Sequence, residues 1–376
     1  MERLNIMSTE ADNPTHAHID VLDKPRGTVR PGEELDLERL EAYLKREITG
    51  LDGPLTVDQF GKGFSNLTYL IRVGERELVL RRPPFGAKIK SAHDMGREYR
   101  ILSHLIAVYP TLPRVLAYCE DEAVLGAPFY VMERVQGVIL RSKPPEGLAL
   151  GHAQMRSLSE AFVDTMVAIH GADYTAAGLG DLGRPGGYIE RQVTGWTGRY
   201  EKSKTDDIPE VERAAAWLAA HRPPESGASL IHNDYKYDNL VLDPANLSHI
   251  RAVLDWEMAT LGDPLMDLGT SLAYWIEPAD GDVLQALELG LTTLPGNLTR
   301  TEVVQRYARV SGRDVTEAQM VYFYVFGLFK NAVVAQQIYA RWKAGSTKDE
   351  RFGLLIYAIK ALGERAVAAL ERNRLN

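Results

Sequence analysis

The spacing of apolar residues changes character along the chain. Between residues 55 and 82 it follows a period of two. Leu67, Tyr69, Ile71 and Val73 alternate with their neighbours, as one face of a half-buried strand does. Segments 55–60 and 76–82 flank this strand across two turns, Gly61-Lys62-Gly63-Phe64-Ser65-Asn66 and Gly74-Glu75. Pro83-Pro84 ends the third segment, because proline has no N–H to give a ladder. The three segments form a predicted β-meander, and two more strands are predicted at 114–118 and 129–135, on either side of Cys119.

Elsewhere the period is helical. Leu37, Leu40, Leu44 and Ile48 share one face of a predicted helix over 37–48. A second is predicted over 91–107, where Ser91-Ala92-His93-Asp94 has the form of a capping box. Its stripe is Met95, Tyr99, Leu102, Leu105 and Ile106, and Glu98 falls on that same stripe. From about 153 onward helices dominate, at 153–170, 190–203, 209–221, 264–275, 301–311, 316–343 and 349–372, the sixth opened by the capping box Thr316-Glu317-Ala318-Gln319. The apolar run 320–329 inside that helix has ten residues, about half of the roughly 20 that a membrane span needs, so it is expected in the core. Only near 229–257 does a short, polar β segment interrupt the helices.

Composition narrows the class. The chain has 376 residues, enough for two lobes, with 45% hydrophobic and 25% charged residues, the balance of a globular protein. A net charge of −8 argues against a nucleic-acid partner. The N-terminus lacks the apolar core of a signal peptide, and one cysteine, Cys119, forms no intrachain disulfide. The expectation is a cytoplasmic protein with no membrane partner.

The polar β segment carries the chemistry. Leu230-Ile231-His232-Asn233-Asp234-Tyr235-Lys236-Tyr237-Asp238-Asn239 runs into the apolar 240–242, and after the polar loop 243–249 a second apolar run leads to Asp255-Trp256-Glu257. If the runs pair as a hairpin about Leu247, Asn239 and Asp255 are each eight residues from its centre and face each other. Directly paired residues have Cβ atoms ~5 Å apart. An amide oxygen and a carboxylate at that spacing can share Mg²⁺, which takes one or two protein ligands beside phosphates. Asp234, just before them, can accept a proton from a substrate hydroxyl, and Lys236 can neutralise charge on the transferred group.

His232, Asp234 and Asn239 resemble, position by position, the H-x-D-x-x-x-x-N catalytic loop of the protein-kinase-like superfamily, and Asp255-Trp256-Glu257 stands where protein kinases have D-F-G. The resemblance implies an α+β, two-lobe fold with a small β-rich N-lobe and a larger, mainly helical C-lobe. It implies ATP, with GTP left open, and Mg²⁺. Asp234 would be the catalytic base, Asn239 and Asp255 the metal ligands, and His232 a support that orients the loop. The turn with Gly61, Gly63, Ser65 and Asn66 resembles a nucleotide-covering loop. Arg81 stands where the fold carries a phosphate-binding lysine, a departure from the pattern, and Glu98 would be its ion-pair partner. Glu133 and Val135, at the end of the 129–135 strand, resemble the hinge that binds adenine. The organisation implied is a tail at 1–36, a nucleotide-binding N-lobe at 37–134 and a C-lobe at 135–376 with the catalytic loop and substrate site.

Only eleven residues separate Asp255 from Asp267, too few for a peptide-docking activation segment, so a small-molecule substrate is expected. This stretch resembles the aminoglycoside phosphotransferase and choline kinase family, in which Asp267 would brace the catalytic loop. Val79-Leu80-Arg81-Arg82-Pro83-Pro84, Tyr188-Ile189-Glu190-Arg191-Gln192 with Trp196 and Tyr200, and the segment from Leu254 to Pro264 resemble the kinase-like domain fused to certain acyl-CoA dehydrogenases. For that branch the implied acceptor is a hydroxyacyl-CoA. Arg191, Trp196 and Arg199 are then the substrate-side candidates, the two arginines for CoA phosphates. His170 is expected to be structural. The rival readings are an aminoglycoside or other small-alcohol kinase, and a nucleotide-binding module without transfer activity.

Overall fold

The computed structural model describes residues 22–25, 27–61, 66–85, 94–287, 289–347 and 349–376. Its N-terminal part holds α1 (Leu37–Glu47), β1 (Leu55–Gln59), β2 (Leu67–Val73), β3 (Arg76–Arg82), α2 (Met95–Leu105), β4 (Val115–Cys119), the one-turn α3 (Glu122–Leu125) and β5 (Phe129–Glu133). The strands form one antiparallel sheet in the order β1-β2-β3-β5-β4. Leu67, Tyr69, Ile71 and Val73 turn to the same side and pack with Leu78, Leu80 and Val131 beneath Leu40, Tyr43 and Leu44 of α1. Each fully buried leucine or isoleucine there contributes about 1.5–3 kcal/mol relative to exposure. Leu37, expected in the α1 stripe, stays 46% exposed because it sits at the first helical position, beyond the sheet, and Tyr43 fills the face instead.

α2 begins at Met95, later than expected. Asp94 is its N-cap, and the carboxylate accepts the Arg97 N–H at 2.9 Å, so the acid read as the far end of a capping box is the cap itself. Ser91 to His93 lie outside the described residues. The helix buries Met95, Glu98, Ile101, Leu102 and Leu105. Part of the predicted tail lies against both lobes: the Asp23 N–H donates to the Gly137 carbonyl at 2.9 Å, and the Tyr69 hydroxyl to the Glu33 carbonyl at 2.7 Å.

The rest is mainly helical: α4 (His152–His170), α5 (Tyr188–Ser203), α6 (Pro209–Ala220), α7 (Pro264–Tyr274), the short α8 (Asp282–Ala286), α9 (Arg300–Ser311), α10 (Glu317–Lys343) and α11 (Leu355–Arg372). Two small antiparallel ribbons interrupt it, β6 (Ser229–Ile231) with β9 (Thr260–Gly262) and β7 (Leu240–Asp243) with β8 (Asn246–Val253). The two-lobe α+β architecture is as expected. The helix predicted over 349–372 is divided, with a 3-10 turn at Glu350–Leu354 before α11. Asp349 caps that turn, and Gly353 lies so close to the Trp342 ring that a Cβ would meet it at 2.8 Å.

α10 opens with the expected Thr316–Gln319 capping box, and residues 320–329 are all buried. It is long and apolar enough to cross a membrane, yet its apolar window is mostly buried by the other helices, as in a core helix. It meets α7 backbone to backbone. A Cβ on Gly269 would come within 2.3 Å of the Phe323 carbonyl oxygen, and one on Gly327 within 2.4 Å of the Gly269 oxygen. Only glycine at both positions allows this approach, which sets α7 and α10 at a fixed separation beneath the polar ribbons.

Candidate active site

The β7–β8 hairpin is not centred on Leu247. Leu240 faces Val253 and Val241 faces Ala252, but the register slips at Leu242, which faces Ile250, and at Asp243, which faces Asn246. The Asp243 carboxylate closes a turn tighter than the expected 243–249 loop, accepting the Ala245 N–H at 2.8 Å and Arg251 Nη2 at 2.9 Å. Asn239 therefore lies across from Leu254, whose N–H donates to the Asn239 carbonyl at 2.8 Å, and not across from Asp255. The chain leaves the ladder at Asp255 in the left-handed conformation, φ 67° and ψ 59°, uncommon for a residue other than glycine. There the Asp255 carboxylate meets the N-lobe rather than Asn239.

What it meets is Arg81. Arg81 Nη2 lies 2.9 Å from Asp255 Oδ1 and Nη1 lies 2.7 Å from Glu98 Oε1, with Glu257 Oε2 at 3.9 Å. The expected Arg81–Glu98 pair is present, extended to the C-lobe. Burial opposes the Arg81 charge, but Glu98 and the other acids outweigh it and hold the guanidinium above its usual range. Burial would also raise Asp255, and Arg81 overcomes this, keeping that carboxyl below its usual range. Arg81 Nε is buried with no hydrogen-bond partner among the described residues, while Tyr130 and the Trp256 backbone also lie against the Glu98 carboxyl.

The other nucleotide-side candidates lie nearby to different degrees. Asn66 Nδ2 donates to Glu257 Oε2 at 2.6 Å, which ties the end of the covering turn to the segment after Asp255. Gly61 is exposed at the start of that turn, and Gly63 and Ser65 lie outside the described residues. Val135 packs with Ile139, Val241, Ala252 and Leu254, directly over the hairpin. The Glu133 side chain accepts Arg114 Nη2 at 2.8 Å, and its N–H donates to the Arg114 carbonyl at 2.9 Å. Arg97 carries no signature in the sequence, and Glu257 enters there only as the last residue of the Asp255-Trp256-Glu257 stretch. Yet Arg97 Nη1 donates to the Glu257 carbonyl at 2.9 Å, which anchors α2 to the turn after Asp255.

Asp234 sits in the loop between β6 and β7. Asp267, on α7, holds that loop from below: Oδ2 accepts the His232 N–H at 2.8 Å and Oδ1 the Asn233 N–H at 2.7 Å. Oδ2 also lies 3.0 Å from His170 Nε2, and His170 Nδ1 lies 2.8 Å from the Tyr307 hydroxyl. Burial would raise Asp267, but His170 and the loop amides keep its carboxyl below the usual range. His232 Nε2 lies 2.9 Å from the Leu254 carbonyl, and its Nδ1 accepts the Asp234 N–H at 3.3 Å. The carbonyl needs a donor and the amide an acceptor, so both ring nitrogens are committed and His232 orients the loop.

The Asp234 carboxylate is joined by Lys236 Nζ at 3.0 Å and by Asn239 Nδ2 at 3.2 Å. Asn239 Nδ2 also donates to the Asp234 carbonyl at 2.8 Å. The amide nitrogen is thus spent on Asp234, and the oxygen is the atom that Asn239 has to offer a cation. Lys236 lies 4.9 Å over the Tyr274 ring; burial works against its charge, but Asp234 and Asp238 hold the ammonium above its usual range. Tyr274 faces Asp234 from α7, where nothing in the sequence distinguishes it from the helix's apolar positions. Among the described residues no cluster of three His, Cys, Asp or Glu could hold a metal alone. The Asn239 amide oxygen and the Asp255 carboxylate are hard oxygen donors of the kind Mg²⁺ takes beside phosphates, although they do not face each other across the hairpin.

On the acceptor side the three candidates separate. Arg191 is exposed and folds back onto the carbonyls of Arg184 and Gly186, fastening the loop before α5. Trp196 is buried, with the Arg199 guanidinium 4.5 Å over its ring and Lys330 Nζ 5.8 Å from the same ring. Lys330 Nζ in turn donates to the Asn233 carbonyl at 2.8 Å. Trp196 and Arg199 are therefore linked to the loop that carries Asp234 by Lys330, the residue that directly follows the apolar run 320–329. The one signal for it was a cation directly after ten buried positions.

The model of the phosphotransferase enzyme family matches residues 56–301. Acyl-CoA dehydrogenase family member 10 of Mus musculus is 36% identical over 323 residues, which cover 85% of this chain and 30% of that one. The chain spans less than half the length of the first curated relatives it matches. A solved Ralstonia eutropha protein, provisionally named an aminoglycoside phosphotransferase, is 31% identical with a TM-score of 0.76, covering 90% of this chain and 99% of that one. An aminoglycoside phosphotransferase solved with GDP and kanamycin is 15% identical, covers 89% of this chain and 97% of that one, and has a TM-score of 0.57, a likeness of fold alone.

Proposed function

This chain belongs to the phosphotransferase enzyme family, and from that premise we propose that it transfers the terminal phosphoryl group of ATP to a hydroxyl of a small molecule, a hydroxyacyl-CoA. The observation that carries the proposal is the meeting of Asp234, Lys236 and Asn239 in one loop with the Arg81–Asp255 pair between the lobes. Asp234 accepts the proton of the attacking hydroxyl. Asn239 and Asp255 supply the oxygen ligands for Mg²⁺. When bound, the metal–nucleotide complex supplies the electrophilic phosphorus and neutralises charge on the phosphates. Arg81, steadied by Glu98, would offer its permanent positive charge to a phosphate. Lys236 screens charge gathering near Asp234. Positioning and electrostatics account for most of the rate in such a reaction.

Two observations support the acceptor class. The curated relatives are acyl-CoA dehydrogenases by name. Beside the loop the Arg199 guanidinium lies over the Trp196 ring, a cation that suits an anionic acceptor better than a polycationic amino sugar. A single buried cysteine accords with a cytoplasmic setting. The test is transfer from γ-labelled ATP across hydroxyacyl-CoAs, aminoglycosides, choline and sugars, with Asp234→Asn as control. Labelled hydroxyacyl-CoA, absent with Asp234→Asn, is expected. Faster labelling of an aminoglycoside would overturn the acceptor, and normal turnover by Asp234→Asn would overturn the base.

A further inference from the structure

Two helices converge on one stretch of the catalytic loop. From α7, Asp267 takes the N–H groups of His232 and Asn233. From α10, Lys330 donates to the Asn233 carbonyl at 2.8 Å. Asn233 between them has φ 65°, and its side chain is fixed as well, with Nδ2 3.0 Å from the Met258 carbonyl and Oδ1 3.3 Å from the Tyr188 hydroxyl. Such a conformation persists in an ordinary residue only where its surroundings impose it. The peptide whose oxygen Lys330 holds is the one that joins Asn233 to Asp234. If that peptide turned, the Asp234 carboxylate would swing away from Lys236 and Asn239.

Folding gives little reason for a charge at this position. Lys330 is 5% exposed and, among the described residues, makes no ion pair within 4.0 Å. A buried ammonium without an ion partner is costly, and an apolar side chain of the same length would pack there at lower cost. The reach of Lys330 is set by the backbone contact of Gly269 with Gly327, one helical turn before it. That contact places Asp267 and Lys330 at a fixed separation, so the loop is gripped by its N–H groups from one helix and by its C=O from the other.

Resting on the phosphotransfer reading, we infer that Lys330 is a positioning residue, whose ammonium holds the left-handed turn at Asn233 and so aims Asp234 at the acceptor hydroxyl. The test compares the full chain with Lys330→Met. In the variant the peptide spanning 232–236 should exchange its amide hydrogens faster in the nucleotide-free protein. The kcat should fall about 10²-fold, the loss that a misplaced reacting group brings, while the KM for ATP stays within about twofold and the melting temperature holds or rises. Unchanged exchange in 232–236, unchanged kcat, or a kcat that falls together with the melting temperature would each overturn the inference. The exchange readout needs no turnover. If the wild type phosphorylates nothing, the phosphotransfer reading fails, and the exchange of the loop still decides the role of Lys330.

Discussion

Arg81 and Asp255 are 174 positions apart in the chain, and their side chains meet at 2.9 Å. The same guanidinium holds Glu98 at 2.7 Å, so one cation joins a strand and a helix of the N-lobe to the end of a C-lobe hairpin. It rests on the carboxylate proposed to hold the metal, in the place a phosphate would compete for.

Arg81→Met should therefore have two separable effects. It leaves Glu98 buried without a cation and should cost about 3–5 kcal/mol of stability. It also removes charge-assisted hydrogen bonds worth about 1.5–3 kcal/mol to a phosphate, an affinity loss of roughly 10- to 10²-fold. Adding Glu98→Leu should restore the melting temperature and leave ATP binding weak by calorimetry. Recovery of both would mean that Arg81 acts only through the fold.

Asn239→Ala and Asp255→Asn should each raise the Mg²⁺ concentration for half-maximal turnover by at least about tenfold. A magnesium titration at saturating ATP measures this. A lower maximal rate with an unshifted magnesium requirement would remove that residue from the metal site.

Asp267→Ala strips the partners from two loop amides and from His170, and should destabilise the protein by about 3–5 kcal/mol in chemical denaturation. The sign with pH follows from the depressed carboxyl. Its contribution is present above the unfolded value of about 4 and is lost as pH falls through the lower folded value. The stability gap between wild type and variant should therefore close in acid; a gap constant down to pH 2 would contradict the depressed state.

Burial lowers the Lys330 ammonium to about 8, with Asp234 and Asp267 opposing the shift and Lys236 and Arg199 adding to it. A base whose folded value is depressed makes the unfolded chain the better proton binder between that value and its ordinary one. Wild-type stability should therefore rise relative to Lys330→Met between pH about 8 and 10.5, by up to roughly 3 kcal/mol. Parallel stability curves across that window would show that the ammonium is not desolvated.

Much of the fold was legible because its signals are local. The alternation in β2, the capping box of α10 and the apolar run 320–329 each depend on residues within a few positions of one another. The loop from His232 to Asn239 was legible for the same reason. The hairpin failed by one residue: apolar runs show that two strands pair, but a turn closed by Asp243 and two slips in the ladder decide which residues face. The sequence left Arg191 undecided, because an exposed arginine has the same appearance in sequence whether it caps a loop or meets a ligand.

The sequence by itself determined the two-lobe class, the residues available for chemistry and the spacing of Asp234, Asn239 and Asp255. Period, turn chemistry and motif spacing are properties of short stretches, and short stretches carry them. Only the tertiary structure decided that Asp255 faces Arg81 instead of Asn239, and that Lys330 reaches Asn233 across 97 positions. Those contacts depend on how closely two backbones approach, and at Gly269 and Gly327 that distance comes from the packing of whole helices.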